Sequence, residues 1–134
     1  MEQLKVVLEK SNTGYSAYSD DILGCVAVAD NLSDVKQQFS EAVEFHIEGL
    51  VEDGDPIPVK LQGEYEFLFK IDTNAFFEWV SGIISQTGLA LLTGMNKNLV
   101  SQYANGIKKP GPKQLKRIED ALHKFGGELQ GISF

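Results

Sequence analysis

Residues 86–106 read QTGLALLTGMNKNLVSQYANG, and two short helical segments hinged on a glycine can be seen in them. Leu89 to Leu92 supplies the apolar face of the first segment, and Gly94 suits a turn that needs a positive φ. Asn96 can cap a second segment through its side-chain oxygen. Leu99, Val100 and Tyr103 then recur at helical intervals up to Gly106, which fits the left-handed position past a helix end. Ala90 is small where the two segments must cross, and Met95 follows the turn with a flexible apolar side chain. Leu99, Val100 and Tyr103 give the second segment one apolar face, and the two segments together read as a helix-turn-helix. The opposite face keeps Asn96, Lys97, Asn98, Ser101 and Gln102.

Working outward, the helical period begins near Asp72. Ala75, Phe76, Trp79, Val80, Ile83 and Ile84 predict a helix capped by Thr73 and ending near Ser85. Pro110, Gly111 and Pro112 break the chain after the second segment. Leu115, Ile118, Ala121, Leu122 and Phe125 then form a last helical stripe, expected to stop at Gly126 and Gly127 because glycine is a poor helix former.

Before Asp72 the period is that of strands. Leu4, Val6 and Leu8 alternate with polar residues, and Asn12, Thr13 and Gly14 mark a turn into a second strand at Tyr15–Tyr18. Cys25 to Ala29, small and β-branched, suits a buried central strand. Asn31 can cap a long helix with Asp34 in its first turn, and Leu32, Val35, Phe39, Ala42, Val43, His46, Ile47 and Leu50 make one apolar stripe along it. Asp53 to Pro56 ends that helix. Tyr65, Phe67, Phe69 and Ile71 alternate with charged residues and predict a fourth strand with one buried aromatic face. The fold class is α+β: a β-β-β-α-β module over residues 1–72, then an all-α helix-turn-helix domain over residues 73–134.

Charge divides at the same place. Residues 1–72 hold 15 acidic residues and 5 lysines, a net of -10, whereas residues 73–134 hold 4 acidic residues and 7 basic ones, a net of +3. The overall -7 therefore hides a basic half that can face phosphates and an acidic half that can face a basic partner. No apolar run approaches the roughly 18 residues of a membrane span. The sequence MEQLKVVLEK at the N-terminus lacks a secretory pattern, so a cytoplasmic location is expected. One cysteine, Cys25, cannot form an internal disulfide.

The segment 86–106 resembles the helix-turn-helix of the XRE and Cro-like repressor family. In that family a small residue lies four before the turn glycine, here Ala90 and Gly94, and apolar residues lock the following helix, here Met95, Leu99, Val100 and Tyr103. The resemblance implies double-stranded operator DNA as a partner. Asn96, Lys97, Asn98, Ser101 and Gln102 would then read base edges, being amides, a hydroxyl and a cation of suitable kinds. Gln86, Lys108 and Lys109 would contact phosphates and set the register.

Residues 1 to about 70 resemble the HicB antitoxin family through Gly14-Tyr15, the acidic turn from Asp21 to Cys25, Asp30 to Leu32, and Glu52 to Pro58. The sequence departs from the family where a proline usually precedes the acidic turn, here Ser19 or Asp20, and where a glycine usually precedes the helix cap, here Ala29. This resemblance implies a shortened ribonuclease-H-like module. It further implies an antitoxin that neutralises a small basic messenger-RNA-cleaving toxin of the HicA type and represses its own operon. Such a protein is expected to be a homo-oligomer, a dimer or tetramer, because one helix-turn-helix makes too few base contacts for a specific site.

Two other classes stay open: a stand-alone transcriptional regulator whose first domain senses a small ligand, and a metal-dependent nuclease built on Asp20, Asp21, Asp30, Asp53 and Asp55. Against the nuclease, these carboxylates fall mostly at turns, where Asp bonds the local backbone. His46 sits on an apolar stripe, His123 has no ligand at metal spacing, and Cys25 has no paired base, so no catalytic residue, cofactor or metal site is expected.

Overall fold

Leu4, Val6 and Leu8 point to one side of strand β1 (Glu2–Ser11) and are almost fully buried there, as the alternation requires. The computed structural model describes residues 1–134 and divides into two units, Met1–Asp72 and Thr73–Phe134. In the first, β1 turns at Asn12 and Thr13 into β2 (Gly14–Tyr18), an antiparallel pair running from Ser11↔Gly14 to Val7↔Tyr18. Strand β3 (Val26–Ala29) adds antiparallel to β2, and β4 (Tyr65–Ile71) adds parallel to β1. The sheet is mixed, with order β3-β2-β1-β4. Gly14 is required by this packing. Its φ is +145°, and a Cβ there would stand 2.4 Å from the carbonyl oxygen of Ala29, an impossible contact.

Helix α1 (Leu32–Asp53) begins at Asn31, whose Oδ1 accepts the Asp34 N–H at 2.8 Å while its Nδ2 donates to Asp34 Oδ2 at 2.9 Å. Gly54 ends it at φ +72°, its N–H reaching back to carbonyls of the last turn. Leu32, Val35, Phe39 and Val43 bury the helix stripe against the sheet, and Phe39 meets the Phe67 ring edge-on at 5.4 Å. Ala42, His46, Ile47 and Leu50 continue the stripe half-buried. A single 3-10 turn, Val59–Leu61, buries Leu61 before the chain enters β4.

Two expectations about this sheet are corrected. The strand after Cys25 is an edge and not a centre: Cys25 itself is buried, but Val26 and Val28 are 61% and 57% exposed. Small β-branched residues suit a strand in either place, and only the pairing order decides which. The aromatic face of β4 is half-buried throughout, because that strand has a neighbour on one side only.

The second unit packs α2 (Thr73–Val80), α3 (Gln86–Thr93), α4 (Lys97–Ala104) and α5 (Pro112–Gln130) around Phe77, Val80, Leu89, Met95, Val100, Tyr103 and Ile118. Thr73 is the first helical residue, not a cap, and α2 stops at Val80 instead of near Ser85. The N–H groups of Ile83 and Ile84 both turn back to the Val80 carbonyl, at 2.9 and 2.8 Å, which closes a turn over Ser81 and Gly82 and leaves Ser85 to cap the next helix. Helix α5 runs through Gly126 and Gly127 to Gln130. Each interior glycine costs only about 1 kcal/mol against alanine, which continuing hydrogen bonds offset. No helix is long and apolar enough to cross a membrane.

Candidate nucleic-acid interface

The turn between α3 and α4 is fixed by side chains that bond backbone. Ser85 caps α3 by accepting the Gly88 N–H at 3.0 Å. At the other end Thr93, buried, donates to the Leu89 carbonyl at 2.7 Å and accepts the Met95 N–H at 3.3 Å. Gly94 takes φ +69°. Arg117, from α5, donates through Nε to the Thr93 carbonyl at 3.0 Å and through Nη2 to the Gly94 carbonyl at 2.9 Å. A cation at a helix C-terminus also meets the negative end of its dipole. Arg117 and Thr93 escaped the sequence reading. Nothing in the spacing of α5 distinguishes Arg117 from its neighbouring lysines, whereas a threonine just before a turn glycine was a usable signal.

The face that this turn presents is polar and short. Lys97 and Asn98 are exposed, Ser101 and Gln102 are half-buried, and Val100 and Tyr103 point into the core from the other side of the same helix, with Leu99 half-buried beside them. Asn96 is exposed but employed: its Oδ1 accepts the Asn98 N–H at 2.8 Å as the cap of α4. That leaves its NH2 donors for an outside partner. Ser101 Oγ accepts from the Asn105 side chain at 3.3 Å. Past α4, the N–H groups of Ile107 and Lys108 both bond the Gln102 carbonyl, at 2.9 and 3.2 Å. This ties the loop bearing Lys108 and Lys109, both exposed, to the end of the helix. Gln86 is half-buried in the first turn of α3, where free N–H groups and the helix dipole favour an anion. Ala90 is half-buried and Met95 buried.

The carboxylates of the first unit do not assemble a site: no three Asp, Glu, His or Cys residues gather where they could hold a metal ion. Asp21 is instead clamped, its Oδ1 accepting from Lys60 at 2.9 Å and its Oδ2 from the Lys5 N–H at 3.2 Å. The Lys60 ammonium, with the Lys5 amide, holds this carboxyl below its ordinary pKa, and Asp21 in turn raises Lys60. Burial pushes the Cys25 thiol up, which makes it a poor nucleophile. A depression of about 260 Å³ beside the clamp is lined by Lys5, Val7, Asp20 and Asp21.

A short helix exposing amides and a lysine, set at a glycine turn against a second helix, defines a helix-turn-helix protein of the XRE type, joined here to an acidic α+β module. The helix-turn-helix family pattern matches residues 81–124. The pattern of the HicB-like antitoxins of bacterial toxin-antitoxin systems matches residues 4–96, and the chain belongs to that family. This second match runs past Asp72 and takes in α3. Among curated relatives, an uncharacterized 14.9 kDa protein from the rep-hol intergenic region of Haemophilus phage HP1 is 40% identical over 53 residues, which is 40% of each chain. A UPF0150 protein of Synechocystis is 35% identical over 54 residues, 40% of this chain and 68% of that one. The alignment thus spans well under half of the phage protein.

Proposed function

We propose that this protein is the antitoxin of a type II pair. Its residues 1–72 bind and block a small, basic, HicA-like toxin that cleaves messenger RNA, and its residues 73–134 bind operator DNA and repress the operon. It performs no catalysis and acts as a homo-oligomer in the cytoplasm. The observation that carries this reading is the union, on one chain of the HicB-like family, of a -10 unit with a +3 unit exposing the polar face of α4. Opposite charge speeds encounter with a basic partner, while the acidic unit stays away from phosphates. The small-ligand sensor is less well supported, since the depression beside the clamp is walled mainly by charged residues, whereas small-molecule pockets are lined mostly by apolar and aromatic side chains.

Co-expression with the adjacent reading frame tests the proposal. A basic product of about 60–80 residues should co-purify, and its toxicity should vanish when this protein is present. Toxicity that persists despite stable co-expression would overturn the antitoxin assignment.

A further inference from the structure

Strand β4 pairs with β1 on one side and with no strand on the other. The direction of its free backbone groups can be deduced. The Glu2 N–H bonds the Glu64 carbonyl at 3.2 Å, and Glu2 is paired with Tyr65. In a parallel ladder this turns the N–H and C=O groups of Glu64, Glu66, Leu68 and Lys70 toward β1. Lys5 agrees, one step out of phase with Leu4 and Val6: its N–H goes to Asp21 and its C=O to Ser19, on the β2 side. The backbone groups of Tyr65, Phe67, Phe69 and Ile71 therefore point out from the open edge. Four consecutive alternate residues with free donors and acceptors make a template for another strand.

The sequence of the strand, YEFLFKI, specifies which strand. Reversed about Leu68, it places Glu66 opposite Lys70, Phe67 opposite Phe69, and Tyr65 opposite Ile71. Every position then meets a complementary one. The residues with outward backbone groups fall in the hydrogen-bonded pairs, and Leu68 and the charged residues in the non-hydrogen-bonded pairs, where side chains approach more closely. Leu68 is 43% exposed on the face away from α1, and the aromatic row on the α1 face is half-exposed. β3, the opposite edge, has four uncharged residues, VAVA, and nothing in it fixes a register.

We infer that β4 is a self-recognition strand: two copies of this chain pair antiparallel through Tyr65–Ile71 about a two-fold axis at Leu68, joining two four-stranded sheets into one of eight. This deepens the self-association named above and rests on it only for the oligomer, not for toxin or operator.

The test uses the full-length protein with Leu68→Cys under mild oxidation by diamide, read on non-reducing gels. Cysteines facing each other across a non-hydrogen-bonded pair lie within disulfide reach, so linked dimer should form on the order of tenfold faster than for Leu23→Cys, which is exposed but off the edge. Wild type, whose one thiol is buried, is the blank. A mixture of Glu66→Cys and Lys70→Cys proteins should give the heterodimer in preference to either homodimer. Adding Glu66→Lys or Lys70→Glu to Leu68→Cys should slow linkage, since each sets like charges opposite one another. The double swap E66K/K70E should restore it. Linkage at position 68 no faster than at position 23, or a double swap as slow as either single, would overturn the pairing. Toxin neutralisation and operator binding by a protein that fails these tests would leave the antitoxin reading in place and remove only β4 as its interface.

Discussion

The two units are held together by different means. In the first, the cohesive contacts are distant in sequence: Leu4 lies beside Phe67 across the β1–β4 ladder, and Phe39 from the intervening helix closes over that strand. Its central residues, Leu4, Val6, Val35, Phe39 and Val43, have no accessible surface. The second unit is made of contacts between neighbouring helices, and most of its core residues keep a few per cent of exposure. Polar side chains clip its backbone at the two turns that flank α3, through Ser85, Thr93, Asn96 and Arg117. A unit of the first kind fails when a core group is deleted, and one of the second kind is sensitive to the loss of a single clip.

The largest effect is expected from Phe39→Ala, which should destabilise the first unit by about 3–5 kcal/mol through lost burial and the cavity left behind. The sole tryptophan, Trp79, lies in α2, so its fluorescence follows the second unit while circular dichroism follows both. The dichroism transition should shift far down in denaturant, and the Trp79 transition should hardly move. Equal shifts in both would mean that the units unfold as one.

Next come Asn98→Ala and Gln102→Ala, each costing about 1–3 kcal/mol at the cognate operator and relaxing specificity there. Fluorescence anisotropy measures this, with melting temperatures matched to wild type. Unaltered affinity in both variants would mean that α4 does not enter the groove.

Gly94→Ala forces a side chain into a left-handed conformation, at roughly 1–2 kcal/mol, and crowds Arg117 Nη2, which would stand 3.2 Å from the new Cβ. The Trp79 transition should fall accordingly. Arg117→Ala should lower it too and weaken operator binding through the turn. Stability unchanged in both would show that the clips are not what holds this unit. A smaller and different effect belongs to Lys108→Ala and Lys109→Ala: weaker binding to all DNA sequences, with the salt dependence flatter by about one unit of slope per lost phosphate contact. Toxin neutralisation should survive both.

The smallest effect is that of pH on the Asp21–Lys60 clamp. Asp21 is lowered by Lys60, so its contribution is present above the ordinary carboxyl range and lost as pH falls through its depressed value. Lys60 is raised, so its contribution holds below the ordinary lysine value and disappears as pH climbs through the raised one. Both groups are at the surface, and solvent keeps the effect slight. Urea midpoints of the dichroism transition should show a shallow acid-side loss that Asp21→Asn removes; an identical acid limb in that variant would assign it elsewhere.

Periodicity made most elements legible, because burial on one face writes itself into the spacing of Leu4, Val6 and Leu8 or of Val35, Phe39 and Val43. The turn at Gly94 was readable for a related reason, as a positive φ admits few residues. Pairing was not readable. Nothing local to VAVA at 26–29 reveals that it is an edge, and nothing local to Tyr65–Ile71 reveals a parallel partner more than 60 residues away in the chain. Gly126 and Gly127 misled because a propensity of about 1 kcal/mol is a weak prior beside an established helix. The polar face of α4 could be drawn from spacing alone, but Asn96's employment as a cap and Arg117's grip on the turn depend on atoms brought together by folding.

The bonds that Lys5 makes to Asp21 and Ser19 carry a consequence for amide exchange. Strand β2 last pairs with β1 at Val7↔Tyr18, yet two residues earlier the Lys5 N–H is still occupied by a carboxylate oxygen and its C=O by a hydroxyl at 2.6 Å. Deuterium should therefore enter at Lys5 about as slowly as at a true ladder position. A sheet mapped by exchange protection would extend β2 past its real end, counting the Asp21 carboxylate as though it were backbone.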